Sequence, residues 1–118
     1  MAAIGNVTTK DVVIAINQSL SAEVDLEGFT LAAILMPSAW DAAGLTFQAA
    51  DVTGGTFRDV YDDAGNEVAV SAAASRAIGI DLLAGAVAAL RFIKLRSGTT
   101  GVPVTQTAAR TLTLVLKA

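Results

Sequence analysis

Between Asp59 and Glu67 the chain gathers four carboxylates, Asp59, Asp62, Asp63 and Glu67, with Asn66 among them. Oxygen ligands of this kind are what calcium prefers. The order Asp62, Asp63, Gly65, Asn66, Glu67 lacks the spaced ligands of an EF-hand loop, so a solvated turn is the simpler reading. Two of these acids held across a sugar would make a glycosidase pair, yet acids in a tight turn ordinarily serve solubility. The chain has no cysteine and no histidine. Thiolate chemistry, disulfides and the commonest general base and transition-metal ligand are therefore absent. No Gly-rich phosphate loop joins a strand to a helix and no serine sits in a nucleophile elbow. The expectation is a protein that is not an enzyme, with no catalytic residue, no cofactor and no bound metal.

What remains are residues suited to contact. Arg91, Lys94 and Arg96 form the one basic cluster, with Arg58, Arg76 and Arg110 scattered elsewhere. Three cations on one strand face can pair with carboxylates of a neighbouring subunit, since arginine is enriched at interfaces. The plainer alternative is a solvated face that blunts edge-to-edge aggregation. Trp40 and Tyr61 are single members of their types. Tyr61 is expected to be buried, and Trp40, in the loop between Pro37 and Gly44, is left open between core and contact. The stretch Ser97 to Arg110 is a long loop rich in Thr and Gly, and loops of that length generally bind something or reach out. Candidate interface positions are thus Trp40, Arg91, Lys94 and Arg96, with Thr99, Thr100, Val102 and Val104 from the loop.

The elements that must position these residues read as short strands. Val12, Ile14 and Ile16 recur at period two within Val7 to Ile16, and Ala22, Val24 and Leu26 alternate with Glu23 and Asp25. Thr30 to Met36 is apolar on both faces, as a central strand is, and Pro37 stops it. Leu45 to Ala49 alternates and is followed by the turn Thr53-Gly54-Gly55-Thr56. Phe57 to Tyr61 and Glu67 to Val70 flank Asp62-Asp63-Ala64-Gly65-Asn66, the clearest hairpin signal in the chain. Ala77 to Asp81 and Phe92 to Arg96 are further strands, and Leu82 to Leu90 has the composition of one or two helical turns. Thr111 to Lys117 sets Leu112, Leu114 and Leu116 on one face. About eight strands with turns at roughly ten-residue spacing predict an all-β, antiparallel β-sandwich or jelly roll with at most a short helix.

The 118 residues fit one domain, 1–118, with residues 1–10 as an N-terminal arm. Hydrophobic residues make up 53% and charged ones 16%, where ordinary domains carry about a quarter charged. That excess predicts apolar surface covered by another chain, although much of it is alanine. The longest charge-free apolar run, Leu82 to Leu90, falls well short of the roughly 20 residues that span a bilayer, so no membrane partner is expected. A secretory signal is not visible at the start. With a net charge of -3, nucleic acid is not an expected partner either.

Four blocks of sequence carry a resemblance. Trp40-Asp41-Ala42-Ala43, Leu45-Thr46-Phe47-Gln48-Ala49, Thr56-Phe57-Arg58-Asp59-Val60-Tyr61-Asp62 and Arg91-Phe92-Ile93-Lys94-Leu95-Arg96-Ser97-Gly98 resemble small structural proteins of tailed bacteriophages and prophages, of the head decoration or cement type. The order of strands and turns is also similar to discoidin-like jelly rolls. Residues 20 to 117 are covered, and the chain departs from the pattern at Ala50-Asp51-Val52-Thr53-Gly54-Gly55. The resemblance implies a virion component made in the host cytoplasm and placed on the capsid surface. Its implied partner is the major capsid protein, reached as a homo-oligomer with a trimer favoured. Residues 1–10 and the loop Ser97 to Arg110 are the segments expected to touch the capsid. The rival expectation is a tail, baseplate or fibre module that binds host carbohydrate, with Trp40 stacking on a sugar and the acidic hairpin holding calcium.

Overall fold

Period-two alternation of apolar residues produces the strands, and it is clearest at the two ends of the chain. The computed structural model describes residues 7–80 and 90–118, and all regular structure there is strand. β1 (Val7–Ile14) buries Val12 and Ile14 and exposes Val13 between them. β9 (Arg110–Lys117) buries Leu112, Leu114 and Leu116 on the same inner face. The two pair antiparallel along their whole length, Val7 opposite Lys117 and Ile14 opposite Arg110. β3 (Thr30–Leu35) lies on the other side of β9, and a bulge between Leu31 and Ala33 lets Leu31 and Ile34, three apart, share the inner face. β7 (Ala77–Gly79) completes a first sheet, ordered β1-β9-β3-β7.

A second sheet packs against it. Its centre is β4 (Leu45–Ala50) paired with β8 (Phe92–Ser97), which contribute Leu45, Phe47, Ile93 and Leu95 to the interior. β2 (Val24–Asp25) borders β8. β5 (Arg58–Asp59) and β6 (Ala69–Val70) both border β4, at Gln48 and Ala49 and at Leu45 and Thr46 respectively. They are one edge strand interrupted by a hairpin, in which Val68 donates back to the Val60 carbonyl and Tyr61 faces Glu67.

Counted that way, first pairs with last, second with next to last, third with the one before, and β4 with its interrupted neighbour. An antiparallel ribbon folded double and rolled up has this order, which is the jelly roll. Rolling adds the lateral pairings β9 with β3 and β8 with β4. The two sheets close on one cluster in which Ile14, Leu26, Leu31, Ile34, Phe47 and Leu114 are fully buried. Each such side chain contributes about 1.5–3 kcal/mol. At the turn into β3, Glu27 and Gly28 take φ of 54° and 82° and Phe29 donates to the Leu26 carbonyl. Such a pair of positive φ values reverses the chain in the least space and passes it from one sheet to the other.

Several expectations shift. Residues 7–10 of the expected arm are part of β1, because their backbone pairs with β9; residues 1–6 lie outside the described residues. Ile16 is 56% exposed, since the chain leaves the sheet after Ile14. The segment Ala22 to Leu26 keeps only two residues as strand, Val24 opposite Ile93 and Asp25 opposite Phe92. The expected helical turns, Leu82 to Leu90, lie outside the described residues except for Leu90.

Candidate functional site

The rolled ribbon delivers four connections to one end of the sandwich: residues 15–23, 36–44, 71–76 and 98–109. The hairpin 60–68 folds toward the same end. Gly98 starts the last connection with a turn closed by Gly98 against Pro103. Its φ is +90°, and a Cβ there would lie 2.4 Å from the Val102 carbonyl oxygen, so this position accepts glycine alone. The turn is therefore tight, and it lies over the outer face of β8.

Arg96 is the clamp between these pieces. Read from sequence as part of a free strand face, it stands on the outer face of β8 but is covered, its side chain 7% exposed, because the hairpin and the turn close over it. Its guanidinium donates to Asp59, to Glu67 Oε2 at 3.2 Å and to Thr46 Oγ1 at 3.3 Å. Asp59 Oδ2 also accepts from the Thr100 hydroxyl at 2.8 Å, and the Thr100 N–H donates to Glu67 at 3.2 Å. The Thr46 hydroxyl donates to the Gly98 carbonyl at 2.8 Å. One buried cation thus ties the hairpin, through Asp59 and Glu67, to the turn, through Thr100. The Arg96 guanidinium, the Thr100 hydroxyl and the Gln48 amide together hold the Asp59 carboxyl down at about 2. Asp59 is an acceptor and has no proton to give near neutral pH.

The acidic cluster is consumed in the same way. Asp62 Oδ1 accepts from the Ala64 and Asn66 N–H groups at 2.9 Å each, which shapes the turn. Among the described residues no three carboxylates stand together as a metal site. Of the other two cations in the basic cluster, Lys94 shares the outer face of β8 with Arg96 and Arg91 does not. Arg91 lies at the opposite end, where its Nε and Nη2 donate to Asp25 at 3.0 and 3.2 Å and its guanidinium covers the Phe92 ring. The Lys94 ammonium sits 4.5 Å from the centre of the Phe57 ring. A shallow hollow of about 410 Å³ near Arg91 is lined by Arg58 and Asp51 as well as Ala49, Ala50 and Leu90, and it presents both signs of charge.

Two aromatic expectations resolve differently. Trp40 packs against the core and donates its Nε1–H to the Ala43 carbonyl at 3.0 Å. Tyr61, expected inside, is 50% exposed, because it stands on the hairpin beyond the edge of β4 and no second sheet reaches over it. Beside it Thr99 and Thr100 are exposed, Val102 is 69% exposed and Val104 half-buried. Trp40, Thr99, Thr100, Val102 and Val104 therefore gather at one end, while Arg91 does not join them.

Gln106 is the residue that sequence reading missed. Fully buried, it accepts from the Asp41 N–H at 2.9 Å and from Arg110 Nε at 3.1 Å, and donates to the Asp41 carbonyl and to Ser97 Oγ. Its backbone binds residues 17 and 18. Asp41 in turn accepts from the Thr107 N–H, the Thr107 hydroxyl and Arg110, which holds its carboxyl below the ordinary range. Three connections are thus stapled through one residue, two by its side-chain amide and the third by its backbone. A lone Gln among Thr and Ala carries no periodic signal that would have marked it. Compared with protein-family models, curated proteins and solved structures, the chain matches none of them.

Proposed function

We propose that this protein is a non-catalytic structural component of a tailed-phage virion, a cement or decoration protein that binds major capsid subunits. The observation that carries the reading is the loop end of the sandwich. There Arg96 is matched by Asp59 and Glu67 and Arg110 by Asp41, the connections are locked to one another, and the exposed groups include Ile16, Tyr61, Thr99 and Val102. A reacting site needs a nucleophile or a transferable proton aimed outward; an adhesive site needs a rigid surface that loses little entropy on contact. This end has the second set of properties. Aromatic and aliphatic side chains standing on a locked backbone are the usual anchors of a protein contact.

The sequence blocks that resemble head decoration proteins support the same reading, and β4 and β8 hold two of those blocks at the centre of one sheet. Jelly rolls serve capsid and sugar-binding proteins alike, so the fold does not choose between them. The carbohydrate-binding alternative relied on Trp40, whose ring packs on the core and whose N–H is occupied. On a capsid the contacts repeat on a lattice, so weak ones add through multivalency once the protein is oligomeric.

Cosedimentation with emptied phage capsids, set against host envelope extracts, tests the proposal. The protein should travel with the capsids and not with the envelope. Val102→Asp and Tyr61→Ala, at exposed positions that leave the fold intact, should each weaken capsid binding by about tenfold or more. Retention by envelope glycans, or undiminished capsid binding by both variants, overturns it.

A further inference from the structure

We infer that the outer edge of β1 pairs with the same edge of a second copy of this chain, antiparallel and about a two-fold axis at Thr9. The sheet edges are unequal. β7 ends its sheet with three residues, β2 with two, and β5 and β6 offer two each, parted by the hairpin. Short and interrupted edges are how folded proteins keep further strands from adding. β1 differs, with eight residues, no proline and an unbroken register with β9.

Which backbone groups this edge presents follows from the ladder. Residues of an antiparallel pair alternate between giving both N–H and C=O to the neighbour and turning both away. The Val13 carbonyl accepts from the Ala22 N–H at 3.4 Å, so Val13 turns away from β9. The far side of the sheet gives the same phase. Met36 donates to the Arg76 carbonyl and Ile80 to the Ala32 carbonyl, so even residues of β3 face β7 and odd ones face β9. Through Ala33 opposite Val115 and Thr9 opposite Val115, the odd residues of β1 face outward. Val7, Thr9, Asp11 and Val13 therefore present their N–H groups to this edge, and Val7, Thr9 and Asp11 their carbonyls. Among the described residues Ala22 alone makes a backbone hydrogen bond there.

A strand is the partner whose groups match this row, and charge together with the number of outward groups that can be paired selects the register of a second copy. Opposed residues share a face, so a two-fold axis passes through a residue and not between two. An axis at Lys10 or Asp11 sets like charges directly opposite each other, which destabilises a pair. An axis at Val12 needs the Val13 carbonyl that Ala22 already holds. An axis at Thr9 sets Thr9 against Thr9, Val7 against Asp11 and Thr8 against Lys10, with no like charges opposed. Val7, Thr9 and Asp11 then exchange about six hydrogen bonds with the partner. The result is a pair and not the trimer expected from sequence, and it stands independently of whether a capsid is the final target.

Light scattering and sedimentation of the full chain across the micromolar range test it, with twice the chain mass expected. Thr9→Lys places two lysines on the axis, and Thr9→Asp two carboxylates. Thr9 is exposed, so both variants keep the fold. Each alone should pair at least about tenfold more weakly, and the two mixed should recover a mixed pair. Thr9→Pro should also separate the copies while leaving circular dichroism unchanged, because an edge position whose N–H points outward tolerates proline. A monomer or trimer at all concentrations, variants that pair as before, or a Lys and Asp mixture that stays monomeric overturns the inference.

Discussion

Single residues at the loop end act as staples between segments distant in sequence. Arg96 reaches Asp59 and Glu67, 37 and 29 positions away, and Gln106 reaches Asp41, 65 positions away. Such groups stabilise less by their own attraction than by sparing others an unpaired burial. Gln106→Leu keeps the volume and removes the amide, which strands the Asp41 N–H and the Arg110 Nε–H beneath the connections. We expect a loss of about 2–4 kcal/mol in urea denaturation, with the fold retained. A loss under about 0.5 kcal/mol, the range of ordinary surface substitutions, would show that water replaces the amide there.

At the scale of elements, strands whose apolar pattern is local were legible and pieces defined by what covers them were not. The alternation at Val12 and Ile14 and at Leu112, Leu114 and Leu116 identified inner faces, and Thr30 to Met36, apolar on both sides, lies between two strands. The turn between Asp62 and Asn66 is held by the Asp62 N–H donating to the Asn66 carbonyl. β8 misled because its alternation of Phe92, Lys94 and Arg96 with Ile93 and Leu95 looks half-solvated, whereas the hairpin and the 98–103 turn cover Arg96. Tyr61 misled for the converse reason, since the hairpin carries it off the sheet. The turn's geometry gives this account its test. Gly98→Ala drives a Cβ against the Val102 carbonyl and should open the turn, release Thr100 from Glu67 and cost about 2–3 kcal/mol. Gly101→Ala, in the same turn with open space around its Cβ, should stay within about 0.5 kcal/mol. Equal effects from the two would mean that the turn is not tightly held.

For the whole molecule, the carboxylates that lock the connections also set its response to acid. The Thr53 hydroxyl lowers Glu23, the Arg91 guanidinium lowers Asp25, the Thr107 N–H lowers Asp41, and Arg96 lowers Asp59 to about 2 from an ordinary 3.8. Each of these groups holds its proton less tightly when folded than when unfolded. As pH falls, the unfolded chain therefore takes up protons first, and folding loses free energy from the ordinary carboxylate range down through the folded value. With no histidine in the chain, no side chain has an ordinary pKa between about 5 and 8. The midpoint of urea denaturation should then be level from neutral pH to about 5 and fall continuously between about 4 and 2. Asp59→Asn should flatten part of that fall and lower the plateau, because the variant lacks the charge Arg96 requires and has no proton to gain. A midpoint that rises on acidification, or the same acid slope in Asp59→Asn as in the parent, would contradict the role given to the Arg96 clamp.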